Sequence, residues 1–478
     1  MATSEQLVLA GTRTPSADGK TFTVYEPATG AELAEVAYAS VEDVDRAVAA
    51  AVTAQESWAD QAPSARAAVL HRWADLVEAR AEELAVLQTR ENGLTIRESR
   101  GMLWATSALL RYSADAVDKI VGETIPNDAG GLLMTQREPL GVVAAITAWN
   151  APIAMAAQKA GPALVTGNTV VLKPSELAPL TSLIFGDLAS EAGLPEGCLS
   201  ILPGDGSVGR ALVENRAVAR VTFTGSTATG QDIALRAAST FKRLTLELGG
   251  KSAAIVFADA DLDRVCAVAP EAMFGLAGQD CCARSRLLIH ESVYDQVIEG
   301  YARTSARLKV GDPLDETTDL GPLISVAQRD RVHGFVEESV ADGAVVVTGG
   351  AKPAGLPEGG GWYVPTVLTG VRPDMRVAQE EVFGPVVSVI PFATEEEAIR
   401  LANDTQYGLS GSIWTGNIAR AIRVSRKVKS GVLAVNSNTS NYLQAPFGGV
   451  KQSGIGRANG LAGLEANTEL KTLFMDGT

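Results

Sequence analysis

Histidine and cysteine are scarce in this chain of 478 residues. There is no C-x-x-C pair and no cysteine–histidine cluster, so the sequence predicts neither a disulfide framework nor a metal site, and it is typical of a reducing compartment. No histidine lies near a nucleophile motif, which disfavours Ser-His-Asp and Cys-His mechanisms. The residues concerned are Cys198, Cys266, Cys281, Cys282, His71, His290 and His333.

Basic residues are also too few to balance the acidic ones, and the net charge is −15. This excess of negative charge disfavours a nucleic-acid partner and docking to an anionic membrane surface. At this length, with 46% hydrophobic residues, the chain exceeds what a single core usually holds, so we expect two or more domains.

A long uninterrupted apolar run is missing as well. The most apolar stretch, residues 141–165, is broken by two prolines and by the pairs Trp149-Asn150 and Gln158-Lys159, so it predicts no membrane span. The first residues lack a basic segment followed by an apolar one, which argues against a signal peptide. We therefore expect a cytoplasmic protein.

The N-terminal region has the spacing of amphipathic helices. Ser40 and Asp43 form a capping signal before the first helix. A second helix is predicted from about Ser64 until Asn92-Gly93 ends it.

From residue 141 onward, short apolar strands alternate with helices. This pattern predicts a parallel sheet covered on both faces, the architecture of a dinucleotide-binding domain. The predicted strands are residues 141–146, 169–172, 199–202 and 220–223, and the predicted helices are 154–164, 179–192 and 209–214. The alternation resumes after Lys251, with strands predicted at 253–257, 287–289, 344–347, 386–390 and 431–435, which indicates a second α/β domain.

Two segments carry the strongest chemical signal. Gly278-Gln279-Asp280-Cys281-Cys282 offers a thiol nucleophile, and Glu247-Leu248-Gly249-Gly250 offers a carboxylate followed by a tight turn. Covalent catalysis through a thioester requires a sulfur nucleophile and a separate base. Both segments resemble motifs of the NAD(P)-dependent aldehyde dehydrogenase superfamily, in its non-acylating branch. The resemblance covers nearly the whole chain, through further motifs at residues 147–152, 171–176, 223–230, 380–385 and 446–454.

The resemblance implies a catalytic set of three residues. Cys281 is the implied nucleophile, with Cys282 as its neighbour, and Glu247 is the implied base that activates water. Asn150 and the Cys281 backbone N–H are the implied oxyanion donors. Judged by residue type alone, either cysteine could be a small core residue, Glu247 a surface charge and Asn150 a turn former.

The resemblance also implies NAD as the cofactor. The implied contacts are Lys173 and Glu176 with the adenosine ribose, Gly225 and Ser226 with the pyrophosphate at a helix N-terminus, Glu381 with the nicotinamide ribose, and Phe383 beside the nicotinamide ring. Trp149 is a further implied cofactor contact. Two like charges about 4 Å apart repel by about 4 kcal/mol at an effective dielectric of about 20. Glu176 should therefore repel a 2′-phosphate and favour NAD over NADP.

A G-x-G-x-x-G string at residues 204–209 is a weak signal, because no acidic residue ends the strand that follows it. We interpret it as a loop near the adenine end of the cofactor rather than as the phosphate-binding motif.

The segments expected around the substrate depart from the commoner family pattern. Positions that are often bulky and aromatic are Ala151, Ala154 and Gln158, Asp280 precedes the nucleophile, and Asn441 lies in a nearby loop. These residues predict a wide, polar tunnel. Asp280 could pair with a cationic substrate, as in relatives that oxidise ω-aminoaldehydes or betaine aldehyde, or it could bond to local backbone or Arg284. In the latter case the tunnel would serve bulky neutral aldehydes.

The predicted fold class is α/β, with a Rossmann-like NAD-binding domain (residues 1–120 and 140–249) and a catalytic domain (residues 250–450). A hairpin signal and a C-terminal strand, in residues 121–139 and 451–478, are expected to form a small β element used in homodimers or homotetramers. We expect an enzyme that oxidises a small aldehyde to a carboxylic acid with NAD. The alternative functions are a CoA-acylating aldehyde dehydrogenase and a non-catalytic binding protein of the same fold.

Overall fold

Sixteen α-helices lie within residues 3–128, 130–439 and 441–476, which the computed structural model describes. They are α1 Val41–Ala59, α2 Pro63–Ala79, α3 Ala81–Asn92, α4 Ile96–Ala116, α5 Pro152–Val165, α6 Leu180–Glu191, α7 Gly206–Glu214, α8 Thr227–Ala237, α9 Leu262–Val268, α10 Glu271–Phe274, α11 Tyr294–Ala306, α12 Val326–Ala341, α13 Arg376–Gln379, α14 Glu395–Asn403, α15 Ile418–Lys427 and α16 Gly460–Glu465.

Twenty strands are found in the same described ranges. They are β1 Thr3–Glu5, β2 Leu7–Leu9, β3 Thr12–Thr14, β4 Thr21–Tyr25, β5 Glu32–Ala37, β6 Leu132–Pro139, β7 Val142–Ile146, β8 Thr169–Lys173, β9 Leu199–Ile201, β10 Val218–Thr224, β11 Arg243–Glu247, β12 Ala253–Val256, β13 Arg286–His290, β14 Val345–Thr348, β15 Thr366–Thr369, β16 Val386–Phe392, β17 Gly411–Trp414, β18 Ala434–Val435, β19 Gly454–Ile455 and β20 Thr468–Met475.

Local side chains set several helix boundaries. The predicted cap of α1 is confirmed, since Ser40 and Asp43 form a capping box, which satisfies backbone N–H groups that the helix leaves unpaired. The prediction of a single helix from about Ser64 to Asn92 is wrong, because the segment forms two helices. Arg80 leaves helical geometry, at φ −111° and ψ 18°, and divides it into α2 and α3.

The predicted α/β class is confirmed by two large sheets. The first has the order β19-β11-β10-β7-β8-β9-β2-β3, in which the strands from β11 to β9 run parallel. The second has the order β14-β15-β16-β13-β12-β17-β18 and is parallel except at its β14 edge. Each sheet has its own buried apolar cores, as expected of strands covered by helices on both faces.

A separate two-stranded sheet pairs β20 with β6 in antiparallel register, from Thr468 opposite Pro139 to Met475 opposite Leu132. A bridge between Thr124 and Met134 extends it. The predicted hairpin signal includes Ala129, which lies outside the described residues. Strand β19, although close to β20 in sequence, joins the first sheet beside β11.

The connection from β11 to β12 is only a few residues long and runs from one large sheet to the other. As a result, the carboxyl end of β11 leads directly to the amino end of β12. The loops that follow β7, β8 and β10 therefore face the segments that precede β13 and β16. Ligands of parallel sheets bind at this carboxyl edge.

Candidate functional site

A long groove begins where β7, β8 and β10 end. Its outer part is a cavity of about 620 Å³ that includes Lys173, Glu176, Gly225 and Ser226 in its walls. A second cavity of about 320 Å³ shares Trp149, Gly225 and Ser226 with the first and reaches Glu247, Cys281, Glu381 and Phe383. The structure thus brings all seven predicted cofactor residues into one continuous groove. Its length and its polar ends suit a dinucleotide.

The N-terminus of α8 faces this groove. The Ser226 hydroxyl accepts the backbone N–H of Thr229 at 3.2 Å and so caps the helix. The first N–H groups of a helix have no partner within the helix, and together with the helix dipole they favour a phosphate. The predicted phosphate-binding position of Ser226 agrees with this geometry.

At the outer end of the groove, the Lys173 ammonium lies 3.3 Å from the Glu176 carboxylate. Burial lowers the pKa of Lys173, and the Glu176 charge opposes that effect. The Glu176 side chain is 43% exposed and can accept hydrogen bonds from a ligand. Gly206 and Gly209, from the G-x-G-x-x-G string, also line this end.

At the inner end, the Trp149 and Phe383 rings meet edge to face with their centroids 5.2 Å apart. The Glu381 carboxylate accepts the Gly250 backbone N–H at 2.9 Å. Burial raises the pKa of Glu381 to about 7. This end of the groove offers flat apolar surfaces and a carboxylate that can hold a hydroxyl.

Two close approaches of the backbone join the sheets at the site. A Cβ at Gly250 would collide with the carbonyl oxygen of Cys281, and one at Gly249 would collide with the Glu381 carboxylate. Ser453 secures the same turn, because its hydroxyl donates to the Gly249 carbonyl at 2.7 Å and accepts the Gly408 N–H at 2.9 Å. Gly250 is therefore required by its contact with the Cys281 backbone, and a side chain at Gly249 would displace the Glu381 carboxylate.

The chain reaches Cys281 through an unusual turn. Leu276 and Ala277 both have φ near +54°, and Gly278 has φ +71°. The Leu276 N–H donates to the Glu98 carboxylate at 2.7 Å, which helps to hold the turn in place. Backbone in this region is costly for residues with a side chain and is often found at functional sites.

Cys281 and Asn150 lie together where the groove meets a third cavity. The Asn150 amide donates to the Gln279 carbonyl at 2.9 Å, which leaves its second N–H available. The hydrogen bond with the Cys282 side chain, together with burial, raises the pKa of Cys281 well above its ordinary value. Asp280, Cys281 and Cys282 bring three ligand-type atoms within 4.8 Å, but a protonated thiol is a poor metal ligand.

Glu247 is buried and lines the same junction. Neither of its carboxylate oxygens has a hydrogen-bond partner. Burial raises the pKa of Glu247 to about 8, against the opposing charges of Lys159 and Arg457. A carboxyl group whose pKa lies near neutral pH is partly ionised there, and the ionised form can take a proton, as a general base must.

Sequence reasoning missed Lys159 as part of the site. This lysine is buried on α5 beside Thr222, at 3.4 Å, and burial lowers its pKa to about 8. The available signal was a single charged residue in the most apolar stretch of the chain.

The third cavity, of about 270 Å³, contains all five predicted substrate residues: Ala151, Ala154, Gln158, Asp280 and Asn441. The Asp280 carboxylate accepts the Cys282 N–H at 2.9 Å, so at least one of its oxygens serves the local backbone. Asn150, Glu247 and Cys281 line this cavity as well as the inner end of the groove.

Comparison with known proteins shows which family has this fold. The model of the aldehyde dehydrogenase family matches residues 14–473. An aldehyde dehydrogenase from Bacillus cereus in complex with NAD+ is 40% identical, with 99% of this chain and 97% of that chain covered and a TM-score of 0.97. A variant of the P. syringae AldA indole-3-acetaldehyde dehydrogenase, in complex with NAD+ and IAA, is 42% identical, with 100% and 97% covered and a TM-score of 0.97.

A further solved structure, of a 3,6-anhydro-L-galactose dehydrogenase in complex with NAP (NADP), is 38% identical. The match covers 99% of this chain and 100% of that chain, with a TM-score of 0.97. The structures similar to this chain thus include complexes with both forms of the cofactor. Among the described residues, the structure contains no helix that is long and apolar enough to cross a membrane.

Proposed function

We infer the roles of the site residues from the premise that this chain belongs to the aldehyde dehydrogenase family and oxidises an aldehyde with NAD+. One observation carries the assignment. Cys281, Asn150 and Glu247 are shared by the inner end of the cofactor groove and the substrate cavity. A nucleophile there can reach an aldehyde on one side while the nicotinamide lies on the other.

The groove residues would hold the cofactor along its length. Glu176 and Lys173 would bind the adenosine ribose, the α8 N-terminus the pyrophosphate, and Glu381 the nicotinamide ribose. When bound there, NAD supplies a hydride acceptor. The protein positions the reacting groups and excludes water.

Cys281 would first give its thiol proton to water and then react as a thiolate. Its sulfur bonds to the aldehyde carbon, and the carbonyl oxygen becomes an oxyanion that the free Asn150 N–H and the Cys281 N–H can stabilise. One such donor is worth roughly 10²–10³ in rate. Loss of hydride from the same carbon converts the thiohemiacetal to a thioester.

Glu247 would then act as the base. Its carboxylate takes a proton from water, the resulting hydroxide adds to the thioester carbon, and the carbon–sulfur bond breaks to release the acid and the Cys281 thiolate. The unpartnered oxygens of Glu247 support this role, because no protein group competes with the water. A CoA-acylating enzyme needs no hydrolytic base, and a binding protein needs no nucleophile.

We propose a cytoplasmic, reducing location because the mechanism needs a free thiol and all four cysteines are unpaired. We also propose that the chain is divided into three units that fold and associate. They are an NAD-binding domain (1–120 and 140–249), a catalytic domain (250–450) and a small oligomerisation element.

Replacing each of the two adjacent cysteines in turn should show which thiol is the nucleophile. Cys281→Ala should abolish aldehyde-dependent NADH formation, because no thiohemiacetal can form, while the matched control Cys282→Ala should keep most of it. Absorbance at the NADH band measures both. Equal losses in the two variants, or full activity in Cys281→Ala, would contradict the assignment of Cys281.

Replacing the base should slow the second half of the reaction. Glu247→Gln should keep a rapid first turnover of NADH but lose steady-state turnover by at least about 10²-fold, leaving an acyl adduct on Cys281 that mass spectrometry detects. In the wild type, the rate of adduct loss should rise as the pH increases through about 8, the pKa of Glu247, because only the ionised carboxylate accepts a proton. A pH-independent rate of adduct loss in the wild type would argue against this base.

Removing the charge near the ribose should change the choice of cofactor. We propose that Glu176 disfavours the 2′-phosphate of NADP, by less than the roughly 4 kcal/mol of a screened pair, since the side chain is partly exposed. The kcat/KM with NAD should exceed that with NADP about 10-fold or more, and Glu176→Ser should narrow this gap. A wild-type preference for NADP would refute the argument.

We propose that copies of the chain associate through the small sheet, because a two-stranded sheet is marginal alone and β20 exposes Leu470 and Phe474. The double variant Leu470→Lys, Phe474→Lys should dissociate a dimer or tetramer into monomers by light scattering. Lys471→Gln, on the opposite face of β20, is the control. A monomeric wild type would disprove the proposal.

A further inference from the structure

Three side-chain amides form a hydrogen-bonded ladder beside the substrate cavity. The Gln158 amide nitrogen donates to the Asn459 oxygen at 3.0 Å, and the Asn459 amide nitrogen donates to the Asn441 oxygen at 2.8 Å. The three residues come from α5, from the segment before α16 and from the loop before residue 446, so they meet only in the folded chain. We call Gln158, Asn459 and Asn441 the amide ladder.

The two ends of the amide ladder face the cavity that contains the nucleophile. Gln158 and Asn441 line this cavity together with Cys281, while the middle member, Asn459, is buried behind them. Ala154 and Gln158 lie on one face of α5, Ala151 directly precedes this helix, and seven residues of helix span about 10 Å. Gln158 is therefore at the far end of the cavity from Asn150.

Asn459 is held in an unfavourable backbone conformation. Its φ is 57° and its ψ is 171°, a region that residues other than glycine rarely occupy. Backbone bonds fix it there: the Ala458 N–H and carbonyl both pair with Phe447, and the Gly460 N–H donates to the Leu443 carbonyl at 2.9 Å. This conformation places an amide, rather than an apolar group, between Gln158 and Asn441.

The direction of the hydrogen bonds leaves unlike groups at the two ends. Because each amide donates to the next, the Gln158 oxygen remains as an acceptor and the Asn441 nitrogen as a donor. A hydroxyl can donate to the Gln158 oxygen or accept from the Asn441 nitrogen. The ladder carries no charge. Of the two carboxylates in this cavity, Asp280 accepts the Cys282 N–H, and Glu247 lies where the cavity meets the groove.

We propose that the amide ladder selects an aldehyde that carries an uncharged hydroxyl group remote from its carbonyl, with Gln158 or Asn441 in contact with that hydroxyl and Asn459 as their positioning residue. This inference rests on the proposed function and names its substrate class. The apolar walls of this cavity, such as Met102, Leu109 and Met155, suit the hydrocarbon part of such a molecule. Buried polar groups left unpaired by an apolar substrate would penalise it.

The test uses three aldehydes of similar length: 6-hydroxyhexanal, heptanal and an aldehyde with a terminal trimethylammonium group. For the wild type, kcat/KM should favour 6-hydroxyhexanal over heptanal by roughly 10-fold, mainly through KM. Gln158→Met keeps the size of the side chain but removes its hydrogen bonds, and Asn459→Gly removes the middle amide without backbone strain. Both variants should bring the ratio close to one.

Met102→Leu is the matched control, because it alters an apolar wall of the same cavity and should change the two neutral aldehydes by the same factor. NAD binding and a thermal transition show that each variant is folded, and Asn441→Leu replaces Gln158→Met if that variant does not fold. An unchanged ratio in the folded ladder variants, a wild-type ratio near one, or a preference for the cationic aldehyde would overturn the inference. Failure of all three aldehydes together with NADH formation from an aromatic aldehyde would overturn this inference alone, whereas no NADH from any aldehyde would overturn the proposed function itself.

Discussion

The contact between the Gly249-Gly250 turn and the nucleophile segment is the constraint on which the rest of the site depends. The turn continues the strand that ends in Glu247, and it has no room for a Cβ against the Cys281 carbonyl and the Glu381 carboxylate. This close approach fixes Glu247, Cys281 and Glu381, the proposed base, nucleophile and cofactor ligand, relative to one another, although Glu247 ends a strand of one sheet and the other two lie beside strands of the other. Ser453 holds the same turn, because its hydroxyl donates to the Gly249 carbonyl and its carbonyl accepts the Leu248 N–H, so the loop at residues 446–454 supports this geometry.

Close packing at this junction has an electrostatic consequence. The hydrogen bond with Cys282, together with burial, raises the pKa of Cys281, and burial raises the pKa of Glu247, so each group favours its protonated form before ligands bind. A protonated thiol is protected from unwanted reactions, since the thiolate is the reactive species. The unpartnered Glu247 carboxyl costs stability when it ionises, as is common where a site is arranged for activity rather than for stability. Buried Lys159 offsets part of this cost, since its charge lowers the pKa of Glu247.

The sequence was sufficient to predict the α/β class, the alternating strands and the residues that gather at the site, because parallel strands bring their carboxyl ends to one edge. Short-range signals also worked where the physical cause is local, as in the capping box of Ser40 and Asp43. The break at Arg80 was not predicted, since apolar spacing continues from α2 into α3 across a residue of ordinary helix propensity. Lys159 was recognised only as an interruption in an apolar stretch. Its partner Glu247 is far away in sequence, and no periodicity reports such a contact.

Asn459 illustrates the same limit for specificity. Its neighbours Gln158 and Asn441 were predicted to line the substrate cavity, but the amide that joins them lies within residues 451–478, which were expected only to form part of a small β element. The chemistry of the site depends on short motifs at strand ends, which a sequence displays directly. The choice of substrate depends on side chains from a helix face and two distant loops, which become neighbours only in the fold. Two structures 38% and 42% identical to this chain, with the same TM-score of 0.97, carry the names of dehydrogenases for two chemically different aldehydes. This separation explains the difference, because the strand-end motifs can stay constant while the cavity wall changes.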